Sequence, residues 1–351
     1  MEAFFALSIL VTLVTSHGIN VVVAQNPSID AIYQFGDSIS DTGNDVSLSG
    51  PSACGTSPYG ETYFNHPTGR CSNGRLMVDF FAQALGLPLL SPILDKSGTF
   101  SHGANFAVAG ATAITTSKTS LPNQLAWFRS LLPKICPNQG ACKQKLANAL
   151  FLVGEIGGND YNGPAFGGGK NPNDLKSLTP KVVATIMDVA KQLIGLGATK
   201  LVVPGNFPVG CMTIYLAAYK TSDPNMYDEL GCLKNWNDLA AFHNTQLQGA
   251  IKSLQAQNPQ VKIVYGDYFN ALRSVFQNAA ALGFDKDNIH KACCGSGNNE
   301  YNFGGGMCGT AGVTACPNPA LRVSWDGIHL TEHVYQVMAD QLLKQILPAL
   351  S

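Results

Sequence analysis

Apolar residues gather in four short runs, each ending in a glycine, asparagine or aspartate cluster: AIYQFGDS at 31–38, ALFLVGEIGGND at 149–160, KLVVPGNFPVG at 200–210 and VKIVYGDYF at 261–269. Short runs of β-branched, aliphatic and aromatic residues bounded by glycine predict buried strands. Between and after them, apolar residues recur at three and four spacing over 180–196, 233–254 and 268–282, which predicts amphipathic helices. A further helix is predicted near the C-terminus, capped by Thr331 and running to about Ile346. Strands alternating with helices imply an α/β protein with a parallel sheet covered on both faces, and ligands in such folds bind beyond the carboxyl ends of the strands. The glycine-rich stretches 163–169 and 295–312 read as surface excursions, and neither separates two self-sufficient halves.

The N-terminus breaks this rhythm. An apolar run from Ala3 to Val14 is followed by polar His17, Gly18 and Asn20 and then by Val22-Val23-Ala24. Small or aliphatic residues at the minus-three and minus-one positions predict a signal peptide over 1–24, with one domain over 25–351, although Glu2 stands where a basic n-region is usual. The run is shorter than the ~20 residues a bilayer span needs, so no integral membrane segment is expected. Ten cysteines follow, and an even count in a secreted chain implies a disulfide framework, with Cys136 and Cys142 suited to a local bridge. A zinc site from Cys293, Cys294, Cys308 and Cys316 is the alternative, but adjacent cysteines lack the usual two-residue spacer. The chain is expected in the secretory pathway, in the apoplast or vacuole. With 22 basic against 23 acidic residues, nucleic acid is not an expected partner.

Candidate chemistry begins with FGDSISDTGN at 35–44. Ser38 follows a strand at the start of a predicted helix, where unpaired N–H groups stabilise negative charge near a nucleophilic oxygen. Ser38 or Asp41 could equally be a helix cap. A nucleophilic serine needs a base, and His329 in WDGIHLTEH has Asp326 three residues earlier, spaced to hold an imidazole nitrogen. His66, His102, His243, His290 and His333 lack that arrangement. Two decoys are set aside. His329-Leu330-Thr331-Glu332-His333 spells the inverted zinc-protease pattern but needs a further ligand from farther along, where only 18 residues follow, and AFGGGKN at 165–171 is a defective phosphate loop with Asn171 where Ser or Thr should stand.

FGDSISDTGN at 35–44, ANFAVAGA at 104–111, IGGND at 156–160 and WDGIHLTE at 325–332 together resemble the four marker blocks of the plant GDSL esterase/lipase family, a branch of the SGNH hydrolases. The resemblance spans nearly the whole mature chain and implies a three-layer α/β/α, flavodoxin-like fold. It implies Ser38 as nucleophile, His329 as base and Asp326 as its orienting partner. The oxyanion hole would be formed by the N–H groups of Ser38 and Gly110 and the side-chain amide of Asn159. Asp37, Asp41 and Asp160 would brace loops. No metal or organic cofactor is implied, and the G-x-S-x-G elbow of ordinary α/β-hydrolases is absent. The strings PYGETYF, PTGRCSNGRLMVDFFAQALGLPLL and QLAWFRSLL are similar to the branch that includes acetylajmalan esterase and sinapine esterase. The expected activity is therefore that of a monomeric secreted serine carboxylesterase acting on small alkaloid or phenolic esters. An acyltransferase using the same acyl-enzyme is the alternative; a lipase or a non-catalytic binding protein fits less well.

Overall fold

The computed structural model describes residues 12–15, 18–21, 29–50, 52–304 and 306–351. Most of the predicted signal peptide lies outside the described residues; within it, Thr12–Thr15 pairs antiparallel with Gly18–Val21. The main sheet has five strands, β1 (Ala31–Phe35), β2 (Gly103–Asn105), β3 (Ala149–Val153), β4 (Lys200–Pro204) and β5 (Lys262–Gly266), all parallel in the order β2-β1-β3-β4-β5. Every residue of β1 and β3 is buried, which is why these runs read as continuously apolar rather than alternating.

Six longer helices cover the sheet: α1 (Met77–Ala84), α2 (Leu121–Ile135), α3 (Thr179–Leu196), α4 (Lys234–Gln257), α5 (Tyr268–Gln277) and α6 (Glu332–Leu350). α6 packs on α1 and α5, and α3 packs on α2 and α4, giving the two helical layers of a three-layer α/β/α fold. Between sheet and α2, Tyr33, Phe35, Phe106, Phe128 and Phe151 interlock with ring centroids 5.1 to 5.9 Å apart. Such burial makes the sheet a rigid base for whatever its loops carry.

Strand order reverses between β1 and β3, so the crevice of a flavodoxin-like sheet opens there. All four predicted strands form but stop early, at Phe35, Val153, Pro204 and Gly266, and the polar residues after them turn into loops. Thr331 occupies the N-cap position of α6, yet its hydroxyl donates to Arg322 O at 2.7 Å and caps nothing. The predicted cap is corrected accordingly: the first N–H of α6, that of Glu332, donates instead to Asn73 Oδ1 at 2.8 Å.

All ten cysteines are bridged, as Cys54–Cys71, Cys136–Cys142, Cys211–Cys232, Cys293–Cys316 and Cys294–Cys308. The four cysteines weighed as a zinc site are spent on the last two bridges. Those bridges anchor the 293–316 excursion beside the C-terminal motif, where Cys293 N donates to Ser324 O at 3.0 Å and Cys294 N to Trp325 O at 2.7 Å. Among the described residues no helix is long and apolar enough to cross a membrane.

Candidate active site

Three loops leave the carboxyl ends of β1, β2 and β3 and are tied to one another by buried polar side chains. Asp41 accepts from the N–H groups of Gly43, Asn44, Asp45 and Ala109. Asn105 Nδ2 donates to Ser40 O at 2.6 Å, and Asn44 Nδ2 donates to Asn105 O and Ala107 O, both at 2.9 Å. Asp160 accepts from Ala113 N at 2.7 Å and Ile114 N at 3.0 Å. These aspartates brace loops, as their positions in the sequence motifs implied. Gly36 lets the first loop pass close to the third, because a Cβ there would sit 2.7 Å from Glu155 O.

Ser38 lies in a single turn closed by Asp41 N donating to Asp37 O, and the nearest helix, Asn44–Ser49, begins beyond it. The expectation that Ser38 starts a helix is therefore corrected. Any charge stabilisation at its oxygen comes from individual N–H groups rather than a helix end. Ser38 Oγ is 2.8 Å from His329 Nε2, and His329 Nδ1 is 2.7 Å from Asp326 Oδ2. Asp326 Oδ1 accepts from Ile328 N at 2.9 Å and His329 N at 2.7 Å, so the carboxylate is locked by its own turn. Hydroxyl, imidazole and carboxylate in this sequence of contacts can abstract a proton from the hydroxyl and hold the resulting imidazolium.

Asn159 Nδ2 donates to Ala111 O at 3.0 Å and reaches Asp37 Oδ2 at 3.3 Å, which hangs the amide on the loop next to Gly110. Gly110 itself is exposed with φ +75°. Neither the Ser38 nor the Gly110 N–H has an acceptor among the described residues, so both are available to a ligand. Beside Ser38 opens a cleft of about 70 Å³ whose apolar wall includes Ile39, Phe207, Val209, Met212, Tyr215 and Ile328.

A GDSL-like lipase/acylhydrolase family model matches residues 32–342, nearly all of the described domain. The chain belongs to that family. A GDSL esterase/lipase of Arabidopsis thaliana is 42% identical to it over 98% of this chain and 92% of its own. Two proteins of Rauvolfia serpentina, acetylajmalan esterase 1 and acetylajmalan esterase, are 41% and 42% identical over 92% of this chain and 88% and 86% of theirs. This GDSL protein is a carboxylic ester hydrolase.

Electrostatics of the enzyme follow from the contacts. Burial pushes Asp326 up, but the charge and hydrogen bonds of His329, with a bond from Tyr59, outweigh it and hold the carboxyl at about 2. Burial pushes His329 down, whereas Asp326 and, more weakly, Asp37 push it up, and the result lies above the ordinary 6.5. The remaining histidines are elsewhere: His243 is buried and lowered to about 4 by desolvation, and His333 bonds Ala320 O at 2.7 Å while stacking on Phe284.

Three polar residues of this site carry no sequence signal. Tyr59 donates its hydroxyl to Asp326 Oδ2 at 2.7 Å from a loop closed by the Cys54–Cys71 bridge, and it packs edge-on to Trp325. Gln124 of α2 clamps Gly36, accepting from its N–H at 2.9 Å and donating to its carbonyl at 2.7 Å. Glu155 is buried against Asp37; burial, and then Asp37 itself, drive its carboxyl well above the usual range. Glu155 lies within a string read for its strand, and PYGETYF was read only for likeness.

Proposed function

We propose that this enzyme is a secreted serine esterase that hydrolyses short-acyl esters of plant specialised metabolites through an acyl-enzyme on Ser38. The observation that carries the reading is the continuous line of contacts from Ser38 Oγ through His329 to Asp326, at 2.8 and 2.7 Å. Ser38 attacks the ester carbonyl as His329 Nε2 takes its proton. Asp326 holds the Nδ1 tautomer and stabilises the imidazolium, which then protonates the leaving alcohol. The N–H groups of Ser38 and Gly110 hold the tetrahedral oxyanion, joined by the amide of Asn159 as one of its N–H groups turns from the 3.3 Å contact with Asp37 to the new charge. Water attacks the acyl-enzyme in the second half-reaction, with the same histidine as base.

Substrate class is supported by two things. The cleft beside Ser38 has a largely apolar wall, formed by Ile39, Phe207, Val209, Met212, Tyr215 and Ile328, which suits the organic part of a small ester. Relatives at 41% and 42% identity bear the name acetylajmalan esterase, which points to acetyl esters of a plant metabolite. Five disulfides favour an oxidising compartment, and with it secretion.

The test is covalent trapping. An organophosphorus fluoride should modify the enzyme once, with the added mass on the peptide carrying Ser38, and should abolish hydrolysis of p-nitrophenyl acetate. Modification elsewhere, or full activity after labelling of Ser38, would overturn the acyl-enzyme reading.

Two further outcomes are expected. Asn159→Ala should lower kcat by about 10²–10³-fold with little change in KM, because an oxyanion donor acts when charge develops and hardly before. A drop confined to KM would remove Asn159 from that role. The pH profile follows from His329, which must be neutral to accept a proton and whose pKa is raised above 6.5. As pH falls through that raised value the imidazole is protonated, so kcat/KM should decline on the acid side with a midpoint above 6.5. A midpoint below 6.5 would mean that Asp326 does not govern the base.

A further inference from the structure

We propose that Glu155 is a positioning residue of the hydrolase: as a neutral acid it donates a hydrogen bond to Asp37, and so keeps Asp37 an anion whose Oδ2 holds the Asn159 amide at the cleft. The inference rests on the reading of Asn159 as an oxyanion donor and deepens it by naming what sets that donor in place.

Two acids meet beside the nucleophile. Asp37 precedes Ser38 and Glu155 follows β3, and both are almost fully buried where they line the Ser38 cleft. Their side chains are hydrogen-bonded to each other, and Asp37 N donates to Glu155 O at 3.1 Å. Neighbouring buried carboxyls cannot both ionise, so the pair holds one proton. Burial, then the charge and hydrogen bond of Asp37, keep that proton on Glu155. Burial pushes Asp37 up as well, to about 6, but the Ile39 N–H, the Glu155 hydrogen bond and the charge of His329 pull it back, against a push from Asp160.

The other titratable groups facing the pair are the phenols of Tyr268 and Tyr335, both kept neutral by burial, while Asp326 faces His329 from its Nδ1 side. Among the described residues no lysine or arginine acts on either acid. The donor from Glu155 thus stands where a salt bridge would.

The charge matters because of what each oxygen of Asp37 faces. Oδ1 accepts from Ile39 N at 3.1 Å and Oδ2 from Asn159 Nδ2 at 3.3 Å. A proton added to Asp37 is barred from Oδ1 by the Ile39 N–H and settles on Oδ2, where it meets the Asn159 amide donor to donor. Only Ala111 O, at 3.0 Å, then holds the amide, and a single bond leaves it free to swing. An aliphatic side chain at 155 would bring this about, because Asp37 would stay buried without that donor and its carboxyl would rise through neutral pH.

The experiment measures kcat for p-nitrophenyl acetate across pH on the disulfide-intact enzyme, with matched melts. Glu155→Leu should lower kcat at least about tenfold near neutral pH with KM little changed, as displacement of a transition-state donor requires. The deficit should shrink as pH rises into the alkaline range, where His329 is already neutral and Asp37 ionises unaided. Glu155→Gln, whose amide still donates to Asp37, should lose much less. In an Asn159→Ala background Glu155→Leu should cost nothing further, because both act through one amide.

A Glu155→Leu enzyme as fast as wild type, or slowed equally at every pH, overturns the proposal, and so does a glutamine variant as slow as the leucine one. Should the leucine variant not fold, Asp37→Asn decides. With its oxygen kept on Ile39 N, its NH₂ faces Asn159, so it should be slowed at every pH and should cost nothing more in the Asn159→Ala background. Wild-type kcat, or a full further loss in that background, overturns the proposal. Failure of the underlying readings looks different: Asn159→Ala at wild-type kcat removes the oxyanion donor and the proposal with it, and loss of organophosphorus labelling at Ser38 removes the acyl-enzyme.

Discussion

Ser38→Ala is expected to lower kcat for small-ester hydrolysis by at least about 10⁴-fold while leaving the melting temperature unchanged. Ser38 Oγ has one hydrogen-bond partner among the described residues, His329 Nε2, and the side chain is only half-buried. Removing it therefore costs the fold little, and the loops that position it keep their ties through Asp41, Asn105 and Asp160. What disappears is the bond-forming atom. The oxyanion donors and the cleft remain and can still favour attack by water, so a small residual rate is compatible with the mechanism. The measurement is steady-state hydrolysis of p-nitrophenyl acetate by wild type and variant with matched thermal melts. Equal rates in the two proteins would remove Ser38 from the chemistry.

That prediction could be framed from sequence because the chemistry sits where strands end. β1, β3 and β4 were legible since nearly every residue of each is buried, and the edge strand β5, only partly buried, through its apolar Ile263-Val264-Tyr265. β2 was not, because Gly103–Asn105 is three residues with almost no apolar side chain, made a strand by pairing with β1 rather than by its own pattern. The Asp326 and His329 pair was legible at a spacing of three. Their meeting with Ser38 spans a separation of 291 residues; the need of a nucleophilic serine for a base suggested it, and resemblance to a family made it specific. Tyr59 shows the limit plainly: its bond to Asp326 crosses 267 residues and depends on the Cys54–Cys71 bridge folding its loop inward. The misread helix start at Ser38 has a local cause. Ser, Asp and Gly at 37–43 favour tight turns as readily as helix caps, and here the turn came first and the helix six residues later.

Asp326→Asn is the second large effect expected, a fall of about 10⁴-fold in kcat, and its origin is the direction the amide must face. Oδ1 of Asp326 accepts from two backbone N–H groups, of Ile328 and His329, at 2.9 and 2.7 Å. An asparagine keeps those bonds only by placing its oxygen there, which turns its NH₂ toward His329 Nδ1 and the Tyr59 hydroxyl. The hydroxyl can rotate and accept. The imidazole can accept at Nδ1 only by carrying its proton on Nε2, and in that tautomer it cannot take the proton of Ser38. The turn that locks Asp326 thus makes the isosteric variant misdirect the base rather than merely weaken it. Tyr59→Phe should be far milder, because it deletes one of four bonds to the carboxylate and leaves the tautomer intact. Kinetics of both variants with matched melts provide the check: an Asp326→Asn enzyme within about tenfold of wild type would mean that the orientation of His329 is set elsewhere, and a Tyr59→Phe enzyme as slow as Asp326→Asn would mean that Tyr59, rather than the carboxylate alone, fixes the tautomer.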